Sequence, residues 1–397
     1  MTDAFLILNA GSSSVKFSVF ADGEKLQLLL RGQIESLLAS PRFFVTDADG
    51  KTLGEHEWPA GASISHDQAI EYLFGWGLEE RIGGTRLVAA GHRVVHGGRR
   101  FTGPVLIDDG VIAELELLTP LAPLHQPHHI AAIRAVTRHA PSLPQVACFD
   151  TSFHRRQSVV AQTFAIPRTL TESGVIRYGF HGLSFEYIAS RLPDVDPRAA
   201  TGRTIVAHLG NGASLCAMQA GVSVATTMGL TPLDGLVMGT RCGAIDPGAL
   251  LYLMNSRGMD ARSLEHLLYF ESGLKGVSGG SSDMRTLLAK EATDSHAAEA
   301  IELFVYRIQR EVGSLAAALG GLDAIILTGG IGEHAAPIRE RILTGLGWLG
   351  VDYQGGGDQA GPLLLTSASS RVSAWAIPTN EELIIAKHAK GLLRSNR

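Results

Sequence analysis

The sequence predicts an α/β fold built from two copies of one pattern, and two similar segments indicate it. Phe5 to Phe20 reads FLILNAGSSSVKFSVF, an apolar run, a Gly/Ser turn and then alternating apolar residues. Thr204 to Met218 reads TIVAHLGNGASLCAM and repeats that design much later in the chain. Because such turns between β-prone runs favour tight reversal, each segment is predicted to be a β-hairpin. Two hairpins of this kind indicate a duplicated fold.

Besides the two hairpins, helix-like and strand-like stretches alternate along the chain, and α/β domains require this alternation. Ala297 to Leu319 has apolar residues at helical spacing, which predicts a helix with one buried face. The remaining predicted elements are a buried strand at Ala324 to Leu327, a Gly-rich turn at TGGIGEH, a helix at Pro337 to Leu346, and a last helix at Glu381 to Leu393 capped by Thr379 or Asn380.

Length and charge exclude several classes of protein. With 397 residues and 45% hydrophobic residues, the chain can bury a large core, and its length favours two domains. Lys and Arg number 34 against 39 Asp and Glu, a net charge of -5. No broad basic field therefore attracts nucleic acid or an anionic membrane, and we expect neither as a partner.

Cysteine usage and the apolar segments indicate a cytoplasmic protein. Cys148, Cys216 and Cys242 are an odd number spread through a large chain, which argues against a disulfide framework. The start lacks a basic region followed by an apolar stretch, so no secretory signal is predicted. Val312 to Ile331 is interrupted by Asp323 and by glycines, which predicts a helix and a strand rather than a membrane span.

Glycine-rich turns are the first candidate ligand-binding features. Asn9 to Lys16 supplies backbone donors, hydroxyls and a cation, which suit a phosphate cradle. It is not a Walker A loop, because Val15 stands where glycine should precede the lysine. His208 to Gly212 is its partner, and two such hairpins can hold a polyphosphate from both sides. Gly329 to Gly332 departs from a dinucleotide fingerprint at Ala335, and we interpret its glycines as backbone room for an adenosine.

Charged and imidazole side chains are the second set of candidates. Arg93 in GHRVVHGG and Arg241 in MGTRCGAIDPG have apolar and glycine neighbours, which favours burial near a ligand over a surface position. Asp150 in CFDTSFH is predicted to end a strand, with a helix cap as the alternative. His181 in RYGFHGLSF is ambiguous alone, and Asp283 with Arg285 in SSDMR could simply cap and charge a following helix.

Three histidines in APLHQPHH raise the question of a metal site. His125, His128 and His129 lie close together, but no partner cluster of Cys or His with ligand spacing follows nearby. A structural zinc site is therefore disfavoured.

Taken together, these motifs resemble the acetate kinases. They are, in order, NAGSSSVKFS, GHRVVHGG, APLHQP, FDTSFH, RYGFHG, HLGNGAS, MGLTPLDGLVMGTR, SSDMR, GGIGE and IPTNEEL. The resemblance implies a duplicated RNase H-like fold of the actin-like ATPase type, with two domains and a central active-site cleft. We place the N-terminal domain at residues 1–149, completed by a C-terminal helix at 382–397, and the nucleotide-binding domain at 150–381.

The resemblance also implies roles for individual residues. The positions that it assigns to catalysis are Asp150, His181 and Arg241. Those assigned to the acyl substrate are Arg93, Val95, Leu124, His125, Phe180 and Pro232. Those assigned to ATP are Ser12, Ser14, Lys16, His208, Leu209, Gly210, Asn211, Gly212, Asp283, Met284, Arg285, Gly330, Ile331, Gly332, Glu333 and His334. Asn9 and Glu381 are assigned to Mg2+, for which Mn2+ can substitute, and a homodimer is implied.

The implied activity is reversible transfer of the ATP γ-phosphoryl group to acetate. Val95 narrows the methyl end of the acyl pocket, which favours acetate, with a propionate or other short-chain acyl kinase as the nearest alternative. A non-catalytic nucleotide-binding protein of the actin or Hsp70 kind is a second alternative, but it would not need Arg93 and Arg241. The open Gly330–Gly332 segment favours ATP over pyrophosphate. The chain departs from the family pattern at Gln126, Leu183, Phe185, Cys242, Ala244 and His334.

Overall fold

A computed structural model describes residues 2–81, 83–357 and 361–395, and the chain divides into two compact units. The first unit is Met1–Ser152 with Asn380–Arg397, and the second is Phe153–Thr379. Asp150 and Glu381 thus belong to the first unit, whereas the predicted boundaries place them in the second domain. Residues 1, 396 and 397 of the predicted N-terminal domain lie outside the described residues.

The described part of the first unit contains an eight-stranded sheet. Its strands are β1 (Thr2–Ala10), β2 (Val15–Ala21), β3 (Gln27–Glu35), β4 (Arg42–Asp47), β5 (Thr52–Glu57), β6 (Thr85–Val94), β7 (Val105–Leu106) and β8 (Gln145–Phe149). They lie in the order β5-β4-β3-β2-β1-β6-β8-β7. β1, β6 and β8 run parallel to one another, and the other neighbouring pairs are antiparallel.

The described part of the second unit contains a six-stranded sheet. Its strands are β9 (Arg203–Leu209), β10 (Ala213–Gln219), β11 (Val222–Thr226), β12 (Ala324–Thr328), β13 (Leu363–Leu364) and β14 (Ser373–Ala376). They lie in the order β11-β10-β9-β12-β14-β13, with β9, β12 and β14 parallel to one another.

The two sheets repeat one topology, which confirms the predicted duplication. β3-β2-β1-β6-β8-β7 matches β11-β10-β9-β12-β14-β13 in order and in the relative direction of every neighbouring pair. The predicted hairpins are β1–β2, in which Ala10 pairs with Val15, and β9–β10, in which Leu209 pairs with Ala213. Both are confirmed, because a short glycine-containing turn joins two β-prone runs in each.

Helices cover the first sheet and bury its apolar residues. Those that precede β8 are α1 (His66–Gly75), α2 (Leu78–Arg81), α3 (Asp109–Leu117) and α4 (Gln126–His139). The buried face of α1, which includes Ile70 and Leu73, joins Val136 of α4 in one core with strand residues such as Leu6 and Val19. This apolar contact holds the strands whose ends carry the candidate site.

The second unit has more helix than the first. Its helices are α5 (Val159–Gln162), α6 (Arg168–Glu172), α7 (Gly182–Val195), α8 (Pro197–Thr201), α9 (Pro247–Arg257), α10 (Ala261–His266), α11 (Gly273–Ser278), α12 (Met284–Lys290), α13 (Ser295–Leu319), α14 (Gly329–His334) and α15 (Ala336–Thr344). α13 confirms the helix predicted from periodicity, and its buried residues include Ile301, Phe304 and Ile308.

The last helix, α16 (Glu381–Ser395), belongs to the first unit. Its buried residues include Ile384 and Ile385, and Ile385 packs against Gly91 of β6 so closely that a Cβ there would lie 2.6 Å from Ile385 Cγ2. The backbone N–H of Leu383 donates to Asn380 Oδ1 at 2.9 Å, so Asn380 is the N-cap. The position of this helix brings Glu381 into the first unit.

One predicted element differs from the structure. TGGIGEH was predicted to be a turn, but Gly329–His334 is a short helix. Glu333 makes the difference, because its Oε1 accepts the backbone N–H of Gly329 at 2.8 Å and so satisfies a donor at the start of the helix. Gly329 itself has a φ of 77°, which turns the chain out of β12.

The length and hydropathy of the helices bear on membrane insertion. Within residues 2–81, 83–357 and 361–395, no helix is both long enough and apolar enough to cross a membrane.

The cap of α16 provides a test of the fold. Replacing Asn380 with Ala removes the acceptor of the Leu383 N–H, and we expect the free energy of unfolding to fall by about 1 kcal/mol in urea denaturation. Asn380→Ser keeps a capping hydroxyl and serves as the control, with most of the stability retained. Equal stability of the two variants would show that this cap does not hold the helix.

Candidate active site

Three candidate residues lie where parallel strands of the first sheet end. Asn9 lies near the end of β1, Arg93 near the end of β6, and Asp150 directly after β8. Leu8 pairs with His92 and Arg93 pairs with Cys148, so these ends share one edge of the sheet. The carboxyl edge of parallel strands is where ligands bind in α/β proteins. The prediction that Asp150 ends a strand is confirmed.

The Arg93 guanidinium is the charged centre of this edge. Its Nε donates to Asp150 Oδ1 at 3.0 Å and its Nη2 donates to Oδ2 at 2.7 Å, a bidentate pair. Its Nη1 lies 3.5 Å from Glu381 Oε2. Burial disfavours the charge, but the two carboxylates outweigh burial and raise the pKa of Arg93 above its ordinary value. Arg93 therefore stays protonated although it is only 20% exposed.

Arg93 still has hydrogen-bonding capacity for a ligand. A guanidinium carries five N–H donors, and the contacts to Asp150 and Glu381 use three of its N–H directions. The remaining donors match the oxygens of a carboxylate or a phosphoryl group. Burial of this arginine beside candidate ligand-binding residues agrees with the expectation that it does not lie on the open surface.

Oxygen donors at the same edge suit a magnesium ion. Glu381 is half-buried, and burial raises the pKa of its carboxyl, with Glu382 adding to the rise and Arg93 and Lys16 opposing it. Lys16 pairs with Asn9 across the β1–β2 hairpin. No group of three His, Cys, Asp or Glu side chains able to hold a metal occurs in the described part of the chain. Mg2+ commonly uses one or two protein carboxylates together with waters and substrate phosphates, so Asn9 and Glu381 fit such an ion.

The first glycine loop, Gly11 to Ser14, is closed on itself. The backbone N–H of Gly11 donates to the carbonyl of Ser14 at 2.7 Å. His66 Nε2 also donates to the Gly11 carbonyl at 2.7 Å from the start of α1. His66 is not among the residues predicted from the sequence, since 55 residues separate it from Gly11 in the chain. Ser12 and Ser14 are left at the tip of this loop, next to Lys16.

The histidines near α4 do not form one cluster of metal ligands. His129 is buried, and its Nδ1 accepts the backbone N–H of Val95 at 3.3 Å. Burial and the nearby charge of Arg93 lower the pKa of His129, so it is neutral. His128 instead stacks on His66, with 4.9 Å between ring centroids. Val95, assigned to the acyl substrate, is thus fixed by its neighbour, while Leu124 and His125 directly precede α4.

The second glycine loop, His208 to Gly212, is surrounded by candidate residues of the second unit. The N–H of Gly210 donates to the Gly212 carbonyl at 3.0 Å, which closes the turn. A Cβ added at Gly212 would lie 3.2 Å from His181 Nε2 and 3.9 Å from Arg241 Nη1. His181 and Arg241, far apart in sequence, therefore meet at this glycine. A methyl group there would be in tight contact with the His181 ring and in ordinary contact with Arg241.

Backbone contacts fix Arg241 in place. Its Nη1 donates to the Pro232 carbonyl at 3.1 Å, which links it to a residue assigned to the acyl substrate. Gly273, with a φ of 64°, packs against the Arg241 backbone, where a Cβ would lie 2.9 Å from the Arg241 nitrogen. The N–H of Gly239 donates to the Asn211 carbonyl at 3.0 Å, so this segment is also tied to the second loop.

His181 has an unusual backbone conformation. Its φ of 57° and ψ of 22° are left-handed, and it is the residue before α7. Non-glycine residues adopt this region at a cost of roughly 1–2 kcal/mol. His181 Nδ1 lies 2.8 Å from Ser214 Oγ, and its ring stacks on His208 with 4.3 Å between centroids. His208 Nδ1 is in turn 2.9 Å from Ser184 Oγ.

The three glycines of Gly329–Gly332 do not share the role that the sequence suggested. An added Cβ at Gly330 would meet no described atom within 4 Å, which agrees with room for a ligand. At Gly329 it would lie 2.8 Å from the Leu209 carbonyl oxygen, and at Gly332 it would lie 3.2 Å from the Leu327 carbonyl carbon. Those two glycines are required by close backbone packing instead. The same packing places α14 beside the second glycine loop.

Other residues assigned to ATP also have contacts within the fold. Asp283 caps α12 by accepting the backbone N–H of Arg285 at 3.1 Å, so the predicted helix cap is confirmed, and Arg285 is 90% exposed. Met284 is buried. Glu333 Oε1 also accepts the Thr379 N–H at 3.2 Å, while His334 is mostly exposed. A Cβ on Gly239 would lie 3.4 Å from Ser282 Cβ, which places the SSDMR segment next to Asn211.

Several supporting residues were not identified from the sequence. Ser184 and Ser214 hold His208 and His181, and His66 holds Gly11. Serine and histidine are common residues, and no motif spacing marks these three. They could be found only from the hydrogen bonds that the fold creates.

Comparison with known proteins gives full-length matches. An acetate kinase of Rhodopseudomonas palustris is 56% identical over 403 residues, with 100% of each chain covered. The crystal structure of Porphyromonas gingivalis acetate kinase has a TM-score of 0.88 and 34% identity, and covers 98% of this chain and 100% of that one. A propionate kinase from Francisella tularensis has a TM-score of 0.89 and 37% identity, with 97% and 98% covered.

These matches agree with the duplicated topology of the two sheets. The structural neighbours are more than 25% identical to the chain, so the likeness extends beyond fold alone. The family model described as the acetokinase family matches residues 4–387, which span both units and all the candidate residues. The chain therefore belongs to the acetokinase family.

Proposed function

We propose that this protein is an ATP-dependent acetate kinase, which reversibly converts acetate and ATP to acetyl phosphate and ADP. The observation that carries the proposal is Arg93, a half-buried and permanently charged guanidinium with remaining donors at the carboxyl edge of parallel strands. Such a group suits a small carboxylate substrate. Family membership supports the same reaction, and the R. palustris and P. gingivalis relatives are named acetate kinases.

The chemistry asks for alignment and charge stabilisation rather than a strong base. Acetate is already ionised at neutral pH, so it needs no proton removed before it attacks. One carboxylate oxygen forms a bond to the γ-phosphorus while the bond from that phosphorus to the β–γ bridging oxygen breaks, and ADP leaves with the electron pair. The transferring group spreads negative charge over its equatorial oxygens. Protein donors aimed at those oxygens provide the stabilisation.

In the first unit, Arg93 binds the acetate carboxylate. Asp150 orients that carboxylate indirectly, because it holds Arg93. The bidentate pair fixes the plane of the guanidinium, so its other donors point in set directions. Val95 and Leu124 line the methyl end of the substrate, and His125 lies at the same site. Asp150 would also orient water bound to Mg2+.

In the second unit, His181 and Arg241 stabilise the transferring phosphoryl group. The His181 Nε2 and Arg241 Nη1 lie 3.2 and 3.9 Å from the point where a Gly212 Cβ would be, so both reach the second glycine loop. Phe180 and Pro232 are the residues of this unit assigned to the acyl substrate. The Arg241 contact to the Pro232 carbonyl couples one of them to the phosphoryl-stabilising arginine.

ATP is bound by the glycine loops and by the segments beside the second of them. Ser12, Ser14 and Lys16 contact phosphate from the first loop, and the backbone of His208 to Gly212 contacts it from the second. The adenosine lies against 283–285 and 330–334, where Gly330 leaves open space. Asn9 and Glu381 would hold Mg2+ or Mn2+, which would supply positive charge to neutralise the phosphates.

Propionate is the second candidate substrate, because the F. tularensis neighbour is named a propionate kinase. Val95 is buried, and its branched side chain leaves less room than a smaller residue would. A pocket distinguishes one methylene by about 1–3 kcal/mol, so acetate is favoured while propionate reacts more slowly. A non-catalytic nucleotide-binding protein would form no acyl phosphate from either acid.

We also propose a cytoplasmic homodimer. Cys148, Cys216 and Cys242 are not paired in disulfides, which suits a reducing compartment. α9 has no buried residue among those described. Its large apolar residues Leu251, Tyr252 and Met254 are exposed, and so is Phe270, which follows in the chain. α9 holds no charged residue before Arg257, so two copies can bring this face together without like-charge repulsion.

Arg241 is the sharpest test of the reaction. With acetate, ATP and hydroxylamine, the wild-type protein is expected to form acetyl hydroxamate. Arg241→Ala is expected to lower kcat by about 10²- to 10³-fold, because a donor to the transferring group is lost. Arg203→Ala is the control, since Arg203 pairs with Asp323 at the opposite end of β9 and should leave kcat unchanged. A folded Arg241→Ala protein with normal turnover would contradict the assignment.

The acyl site is tested by kinetics on acetate, propionate and butyrate. We expect kcat/KM to fall in that order for the wild-type protein. Val95→Ala opens space and should raise the ratio of propionate to acetate kcat/KM by about tenfold. Val94→Ala removes the same atoms from the core beside Phe149 and should leave the ratio unchanged. A wild-type preference for propionate would make the protein a propionate kinase.

The dimer is tested by molar mass in solution. The wild-type protein should have twice the 42.2 kDa mass of one chain in sedimentation equilibrium. Leu251→Asp places a charge on the exposed face of α9 and should shift the mass to that of one chain. Leu117→Asp changes an exposed leucine of the first unit and should not. A Leu251→Asp protein that stays dimeric would exclude this face.

A further inference from the structure

His154 is a buried histidine to which the proposed reaction gives no role. It is 1% exposed and lies in the FDTSFH motif, four residues after Asp150. Its Nε2 lies 3.0 Å from the carbonyl oxygen of Phe180, the residue before His181. Its Nδ1 lies 2.8 Å from Ser223 Oγ on β11. Both ring nitrogens are therefore engaged.

The direction of each hydrogen bond in this group follows from chemistry. A carbonyl only accepts, so the His154 proton is on Nε2 and points to Phe180. Nδ1 then accepts the single hydroxyl proton of Ser223. Ser223 Oγ in turn accepts from Gln157 Nε2 at 2.9 Å, and it lies 3.3 Å from the Cys216 sulfur. The hydrogen-bonded network thus ends on the Phe180 carbonyl, and this acceptor fixes the His154 tautomer with its proton on Nε2.

Protonation agrees with this assignment. Burial lowers the pKa of His154 to about 4, although its bond to the Phe180 carbonyl opposes the fall, so the ring is neutral near pH 7. Burial raises the pKa of the Cys216 thiol to about 12, so it keeps its proton. The network is therefore uncharged.

The contact matters for His181 because a peptide unit is planar. The Phe180 carbonyl and the His181 N–H belong to the same rigid plane. Fixing the carbonyl oxygen therefore fixes the plane from which the φ of His181, 57°, is measured. On its other side, His181 is held through Nδ1 by Ser214 Oγ at 2.8 Å. The left-handed residue is thus held from both sides, as a strained backbone requires.

Packing around His154 is close enough to transmit its position. Gly179 has a φ of 75°, and a Cβ there would lie 2.6 Å from His154 Cδ2, so the ring rests directly on the turn before Phe180. Phe185 lies against both histidines, with ring centroids 5.6 Å from His154 and 6.5 Å from His181. Phe185 is one of the departures from the family pattern noted in the sequence. It fills the space between them with an apolar ring.

We propose that His154 is a positioning residue, which holds the Phe180–His181 peptide so that His181 Nε2 reaches the second glycine loop, with Phe180, which is assigned to the acyl substrate, fixed in the same peptide. This inference rests on the proposed function, because it acts through His181. His154 itself touches no reacting atom. Its effect is on turnover and acyl selectivity, whereas ATP binding is left to other segments.

Two substitutions distinguish the hydrogen bond of His154 Nε2 from that of its Nδ1. In His154→Gln, the amide nitrogen of the new side chain occupies the place of Nε2, so this variant can still donate to the Phe180 carbonyl. An Asn amide reaches only the place of Nδ1, so His154→Asn keeps Ser223 and loses Phe180. We expect His154→Asn to lower kcat with acetate about tenfold or more, with KM for ATP within about twofold of wild type, and His154→Gln to retain most of kcat.

Gln157→Leu is the matched control for stability. It removes a donor to Ser223 from the same buried network without touching Phe180. It is expected to lower the melting temperature while kcat and the acetate-to-propionate ratio stay unchanged. Equal kcat for the Asn and Gln variants at position 154, or a fall in kcat for Gln157→Leu that follows its melting temperature, would overturn the positioning role. An inactive wild-type protein would instead refute the proposed function.

The tautomer of His154 can be measured directly in the wild-type protein. Nitrogen-15 spectra of histidine-labelled protein, assigned with His154→Gln, should show the His154 proton on Nε2 throughout pH 5 to 8. A proton on Nδ1, or a ring that becomes charged in this range, would overturn the proposal, because the Phe180 carbonyl would then lack the single fixed donor that it needs.

Discussion

The hydrogen-bonded register of parallel strands is the constraint on which the candidate site depends. In the first sheet, β1, β6 and β8 end side by side, which brings Asn9, Arg93 and Asp150 to one edge. In the second sheet, Thr328 pairs with His208, and the glycine loop and α14 follow from the same edge. Residues that are distant in sequence become neighbours because adjacent strand ends are about 4.8 Å apart. A slip of one residue would turn each of these side chains to the opposite face.

The two units use different physical means to hold their functional groups. In the first, opposite charges fix Arg93, and the cost of burying the guanidinium is offset by a bidentate carboxylate and by Glu381. In the second, hydrogen bonds to an uncharged hydroxyl and a backbone carbonyl, together with glycine contacts, fix His181 and Arg241. The first arrangement suits binding of an anion by charge. The second suits donors that must be aimed accurately at a group in transit.

Much of the fold could be predicted from the sequence, because its signals are local. The hairpin turns, the periodicity of α13 and the cap Asn380 each lie within a few residues. The helix at Gly329–His334 was missed, since it depends on Glu333 bonding back to Gly329. The candidate residues were identified from motifs, but their supports were not. The contacts of His66 to Gly11 and of His154 to Phe180 join residues that no spacing rule connects.

The place of α16 in the first unit has a consequence for synthesis. The ribosome makes residues 153–379 before it reaches Asn380, so the whole second unit has been synthesised while the first still lacks its last helix. Until that helix arrives, Arg93 has Asp150 but not Glu381, and the surface of β6 at Gly91 that Ile385 covers stays bare. A nascent chain stalled before this point cannot assemble the full set of charges around Arg93.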